Sequence, residues 1–102
     1  AATLTCVTGL DRGRVFPIPF EDNFIGRADG ATIRIRDRAV SRQQARLVRQ
    51  GQDYVLDLVT SSMNGVYVNG RLVKKRQAMK SGDVLEMGQT MLRFQDSEPA
   101  PE

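Results

Sequence analysis

Three short polar clusters carry the side chains best suited to holding an anion: Gly26-Arg27, Ser41-Arg42 and Ser62-Met63-Asn64-Gly65. Two guanidinium groups can fork onto a dianion, a serine hydroxyl can donate to a phosphate oxygen, and an asparagine amide both donates and accepts along a peptide backbone. Gly26 and Gly65 lack a Cβ where a ligand or a second loop can come close. No paired carboxylate, nucleophile or general base accompanies these residues. The chain contains no His, which removes Ser-His-Asp and Cys-His catalysis, imidazole proton transfer and His-ligated zinc together. The set reads as a site for capture and not for turnover, with no catalytic residue, metal or cofactor.

The charge pattern favours an anionic partner. The 102 residues hold 15 Lys and Arg against 12 Asp and Glu, a formal net charge of +3, and twelve of the fifteen bases are Arg. Guanidinium is a flat fork matched to phosphate and carboxylate, whereas ammonium is a hydrated point charge. Between Arg27 and Arg49 stand seven arginines (27, 34, 36, 38, 42, 46 and 49) against Asp29 and Asp37. From Gln95 onward the sequence turns acidic and Pro-containing, the composition of a disordered tail or linker. Without that tail the remainder carries +6. The expected division is a domain over residues 1–94 and a tail over 95–102, cut from a longer chain with further domains.

The elements that must position these clusters are short strands. Segments rich in β-branched and aromatic residues recur at Leu4–Val7, Arg14–Ile18, Asn23–Ile25, Thr32–Ile35, Tyr54–Leu58, Val66–Val68, Arg71–Val73, Val84–Met87 and Met91–Phe94, separated by Gly or polar turns. That spacing predicts a β-sandwich or barrel. Ile33 and Ile35 alternate with Arg34 and Arg36, and Tyr54, Leu56 and Leu58 alternate with Val55 and Asp57, as in strands with one face to a core. In Val66–Val73 an Asn69-Gly70 pair joins two apolar runs, the signature of a type I′ hairpin. Ser41–Gln50 contains a formal capping box, but Ala45, Leu47 and Val48 make a poor helical stripe, so a loop ending at Ser41 and a strand from Gln44 are expected. Cys6 has no disulfide partner and reads as a small buried hydrophobe.

The order and intervals of these pieces resemble the forkhead-associated (FHA) domain, a reader of phosphorylated motifs. The resemblance runs from about Leu4 to Phe94. It rests on Phe24-Ile25-Gly26-Arg27, on Ile33, Ile35 and Asp37 leading into Val40-Ser41-Arg42, on Asp57-Leu58, on Ser62-Met63-Asn64-Gly65 followed by Val68-Asn69-Gly70, and on Gly82-Asp83-Val84-Leu85 with Gly88. It implies an all-β fold, a sandwich of two antiparallel sheets with about eleven short strands and the binding loops at one end. It also implies recognition of phosphothreonine in a partner protein. Arg27, Ser41 and Arg42 would hold the phosphate, Asn64 and Ser62 the ligand backbone, while Gly26, Gly65 and Gln44 would shape the loops. The family usually has His where Gln44 stands and often Thr where Val66 stands, and the stretch from Asp57-Leu58 to Ser62 is about two residues longer here.

Purely structural roles compete with each assignment. Arg27 could pair with Asp29, Ser41 could cap a turn, and Asn64 could form an Asx turn. Arg34, Arg36, Arg46 and Arg49 lie outside the motif and read as solvated strand positions that steer an anionic ligand; Arg38 is intermediate. Two other functions compete as well: a phosphate-independent interaction or self-association module of the same fold, and nucleic-acid binding along the arginine stripe. The second lacks an aromatic platform, because Phe16, Phe20, Phe24, Tyr54, Tyr67 and Phe94 read as packing residues. No apolar run approaches the ~18 residues of a membrane span. Ala1-Ala2-Thr3 shows no secretory signal, so the expected setting is cytoplasmic.

Overall fold

Alternating burial along the strands builds two sheets that close on one core. The computed structural model describes residues 2–59 and 65–96, which contain eleven strands and no helix. In chain order they are β1 (Ala2–Cys6), β2 (Val15–Pro17), β3 (Asp22–Gly26), β4 (Ile33–Arg34), β5 (Ala45–Gln50), β6 (Asp53–Leu58), β7 (Tyr67–Val68), β8 (Arg71–Leu72), β9 (Arg76–Met79), β10 (Val84–Met87) and β11 (Thr90–Asp96). One sheet has the order β2-β1-β11-β10-β7-β8 and the other β4-β3-β5-β6-β9. Leu4 and Cys6, Leu47, Leu56, Leu85 and Met87, and Leu92 and Phe94 all point between them and are buried. Tyr54 of β6 meets Phe94 of β11 edge to face across the layers, with centroids 5.4 Å apart. Each fully buried aliphatic or aromatic side chain contributes about 1.5–3 kcal/mol, so this continuous core suffices without a disulfide. Cys6 is part of it; its thiol donates to the Thr8 carbonyl at 3.0 Å, and burial pushes its pKa up.

The Asn-Gly hairpin forms as its sequence requires. Asn69 and Gly70 both have positive φ, 52° and 83°, and set Tyr67 opposite Leu72 and Val68 opposite Arg71. The Asn69 amide also donates to Asp83 and accepts from the Val84 N–H, tying the turn to β10. The Ser41–Gln50 segment is loop and then strand; β5 lies between β3 and β6 in register with both.

Four features differ from the sequence expectation. The sheets are not wholly antiparallel: β4 runs parallel to β3, with Ile25 opposite Ile33 and Gly26 opposite Arg34. After β3 the chain turns at Ala28–Ala31 and returns just far enough for two residues to pair, so no crossover helix is needed. β9 has no alternating pattern because it is an edge strand with only Met79 turned inward, held chiefly by its ladder to β6. β11 continues two residues past the expected boundary at 94, to Asp96, which pairs with Ala2. Residues 97–102 of the expected tail lie outside the described residues. Lastly, Phe20, Phe24 and Tyr67 are not packing residues, being 60%, 38% and 37% exposed. Among the described residues no helix is long and apolar enough to cross a membrane.

Candidate functional site

The β3–β4 and β4–β5 connections meet at one end of the sandwich, and their backbones join there. The Arg27 N–H donates to the Ser41 carbonyl at 3.0 Å and the Ala28 N–H to the Arg42 carbonyl at 3.1 Å. The approach is so close that a Cβ on buried Gly26 would run into the Arg42 carbonyl group. A glycine is therefore a steric requirement of the site itself. The structure thus brings Gly26, Arg27, Ser41 and Arg42 together, while Ser62 and Asn64 lie outside the described residues.

Side-chain contacts bear on the structural roles open to Arg27 and Ser41, while that of Asn64 lies outside the described residues. Arg27 donates from Nε to the Val40 carbonyl at 3.0 Å, which anchors its guanidinium on the neighbouring loop. It does not pair with Asp29, which Arg34 holds at 3.0 Å. The Ser41 hydroxyl makes no hydrogen bond among the described residues, so it caps no turn there. Gln44 is fully buried in the position the family usually gives to His. Its Oε1 accepts from the Ser41 N–H at 2.7 Å and its Nε2 donates to the Gly65 carbonyl at 3.2 Å. The side chain therefore braces the Ser41 loop and ties it to the end of the β6–β7 connection. Gly65 sits at φ 71°, a conformation that favours glycine.

Two aspartates hold the surrounding loops. Asp11 is 2% exposed and accepts from the Arg36 N–H and Nε, both at 2.8 Å, and from Arg14 at 3.2 Å. Asp37 accepts from the N–H groups of Ala39 and Gln89 and from the Thr90 hydroxyl, at 2.9, 2.8 and 2.7 Å, and so joins the β4–β5 loop to the β10–β11 turn. Gly88 leaves room for that carboxylate, which a Cβ would meet at 2.9 Å. Burial alone would raise both carboxyls, but these hydrogen bonds outweigh it and hold both below the usual carboxylate range. A depressed folded pKa contributes stability that is complete above the unfolded value of about 3.9 and is lost as pH falls through the lower folded value. The urea midpoint is expected to drop on acidification below about pH 4. Asp37→Asn should cost about 1–3 kcal/mol at neutral pH and remove part of that acid dependence. An acid dependence unchanged in Asp37→Asn contradicts the assignment.

Together these loops wall a groove of about 850 Å³. Its lining includes Arg27, Arg34, Arg36, Arg38 and Arg42, with the 77% exposed Leu10 beside them. Arg34 and Arg36 are thus groove residues, not merely solvated strand positions, and each is spent on a carboxylate, Asp29 and Asp11 respectively. Arg27, Arg38 and Arg42 form no ion pair among the described residues. Ser41 sits beside this groove and not in its lining. Arg46 lies elsewhere, forked onto Asp22 and stacked over Phe24, and Arg49 bonds the Gly51 carbonyl. The stripe of seven arginines is therefore divided in space. The Asp11–Arg36 pair carried no sequence signal, since its members stand 25 residues apart along the chain.

A two-layer β-sandwich with an arginine-lined loop cluster at one end has the form of an interaction module. Residues 5–98 match the family model described as inner membrane component of T3SS, cytoplasmic domain. A Corynebacterium jeikeium protein named oxoglutarate dehydrogenase inhibitor is 34% identical over 95 residues, 92% of this chain; the chain spans 64% of that relative's length. The FHA domain of FhaA, solved in complex with the intracellular domain of Rv3910, is 29% identical at a TM-score of 0.83, covering 93% of this chain and 100% of that one. A structure from an analysis of phosphothreonine-dependent FHA domain interactions is 28% identical at a TM-score of 0.86, covering 96% and 98%. The chain belongs to the FHA domain family, within the group that this family model describes. FHA domains are interaction modules.

Proposed function

We propose that this domain captures phosphothreonine in a partner protein, with Arg27, Ser41 and Arg42 on the phosphate and Asn64 and Ser62 on the ligand backbone. The observation that carries this reading is the paired backbone at Arg27–Ser41 and Ala28–Arg42, which holds two arginines without carboxylate partners among the described residues at the edge of a cationic groove. A phosphothreonine brings about −1.5 to −2 charge and three acceptor oxygens. Charge-assisted hydrogen bonds contribute about 1.5–3 kcal/mol each, so three or four of them, less the ordering of a flexible peptide, correspond to roughly micromolar affinity. That suits a reversible signal written by a Ser/Thr kinase, and a cytoplasmic setting belongs to the same proposal. The relatives support it: one was solved with a partner's intracellular domain and another in a study of phosphothreonine-dependent interactions.

Nucleic-acid binding is disfavoured by the division of the arginine stripe, because Arg46 and Arg49 are engaged away from the groove and the exposed Phe20 and Phe24 do not line it. The test is a titration with peptides of one sequence bearing phosphothreonine, phosphoserine or unmodified threonine. Binding is expected to the first, weakened by about fivefold for the second through loss of one buried methyl, and absent for the third. Equal binding of all three overturns the proposal and favours a phosphate-independent module.

A further inference from the structure

Outside the groove, the β7–β8 hairpin joins an exposed apolar pair to a run of cations. Tyr67 and Leu72 stand opposite one another across the two strands and so share a face, while Val68, the next residue of β7, is buried on the other. Leu72 is 54% exposed and Tyr67 is exposed beside it. Both lie against Gly65, where a Cβ would come within 2.9 Å of Leu72 Cδ1 and 4.0 Å of Tyr67 Cε1, so the two side chains form one continuous apolar surface. Arg71 precedes Leu72, and Lys74 and Lys75 follow it after the buried Val73. These three cations are exposed and form no ion pair among the described residues. We propose that this edge of the domain docks on an anionic lipid surface, with Leu72 and Tyr67 entering the headgroup layer and Arg71, Lys74 and Lys75 held over it.

The chemistry of the patch favours lipid over a protein partner. A guanidinium forks onto a carboxylate fixed in place, as Arg34 and Arg36 engage Asp29 and Asp11, whereas a lysine ammonium is a point charge suited to headgroups that move. Two of the chain's three lysines stand here. Lysine stems cover apolar surface while the charge stays in water, and a tyrosine ring with its polar tip seats at headgroup depth. The hairpin is ordered before it docks, so little freedom is lost: the Asn69 amide is tied to Asp83 and Val84, and the Leu58 N–H donates to the Lys75 carbonyl. Glu86 lies opposite Tyr67 on β10, whereas Leu72 and the cations lie on its β8 side. The acid and the cations therefore flank the apolar pair from opposite sides, and the β8 edge is the one that faces the lipid. Gly65, which abuts Leu72, is bonded to Gln44 beneath the Ser41 loop, so a docked domain carries its groove close to the membrane.

The test is sedimentation of the whole domain with vesicles of phosphatidylcholine alone or with about 30% phosphatidylserine. Wild type is expected to bind the phosphatidylserine vesicles at least about tenfold more tightly than the neutral ones, and to be released as salt rises. The double variant Lys74→Glu, Lys75→Glu should fall to the neutral-vesicle level, and Leu72→Ser should bind about fivefold more weakly than wild type. Arg27→Ala, which removes an arginine from the groove, should bind the vesicles as wild type does. Equal binding to both vesicles, or binding that survives the double lysine substitution, overturns the proposal. Binding lost in Arg27→Ala overturns it too, by placing the headgroups in the groove. Leu72→Ser with wild-type binding also overturns it, because the patch then acts by charge alone, as toward an acidic protein. Whether phosphothreonine binds is read separately, in the peptide titration.

Discussion

Arg27→Ala is expected to weaken phosphothreonine-peptide binding by about 100- to 1,000-fold, the equivalent of one or two charge-assisted hydrogen bonds. The loss should fall on binding and not on folding. Arg27 is exposed, and the side-chain bond it would forfeit is the one from Nε to the Val40 carbonyl, while its backbone bond to Ser41 survives truncation. The melting temperature should therefore move by only a few degrees, as for a loss of about 1 kcal/mol or less. Arg27→Lys keeps the charge but loses the planar fork and the Nε donor, and should sit between the two, about tenfold weaker than wild type. Titration calorimetry and a thermal melt on the three proteins check the separation. Arg27→Ala with wild-type affinity removes this residue from the site; equal losses of affinity and stability would reduce it to a structural role.

Gly26→Ala is expected to do the reverse and damage the fold first. The added methyl meets backbone, with the Arg42 carbonyl carbon at 2.7 Å and the Ser41 carbonyl at 3.0 Å, and no flexible side chain can yield to it. Overpacking costs about 1–3 kcal/mol where side chains can adjust, so a clash with backbone should cost about 3 kcal/mol or more. In a domain of this size that lowers the melting temperature by roughly 12–20 °C. The backbone hydrogen bonds that join Arg27 and Ala28 to Ser41 and Arg42 should separate, and phosphopeptide affinity should fall more than tenfold with them. Gly30→Ala is the control: a Cβ at Gly30 meets nothing within 4 Å, and the substitution should change stability by no more than about 0.5 kcal/mol. Thermal melts of both variants check the pair, and a Gly26→Ala protein as stable as wild type contradicts the packing described for this corner.

Local chemistry makes much of this legible in the sequence. Alternation places Ile33, Ile35, Tyr54 and Leu56 inside, and Asn69-Gly70 specifies its own turn. The clustering of Gly26-Arg27 with Ser41-Arg42 was legible only through the family resemblance, which implies binding loops at one end. What escaped depends on partners distant in sequence. A period-two pattern reports which face a residue occupies and says nothing about pairing direction, so the parallel β3–β4 bridge was invisible. Arg76-Gln77-Ala78 has no buried face, so β9 left no pattern. Asp11 looks like any turn aspartate until Arg36 is placed beside it. Gln44 could be noted as a departure from the family's His, but its bridge from Ser41 to Gly65 exists only once the two loops are adjacent.

The most direct test of the account is the phosphothreonine-peptide titration followed residue by residue in amide NMR spectra of the isotope-labelled domain. The account predicts saturable shifts centred on Arg27, Ala28, Ser41 and Arg42, the backbone groups joined at the head of the groove, and none with the unphosphorylated peptide. Shifts centred on the outer faces of the sheets, or the same shifts with and without the phosphate, would contradict it.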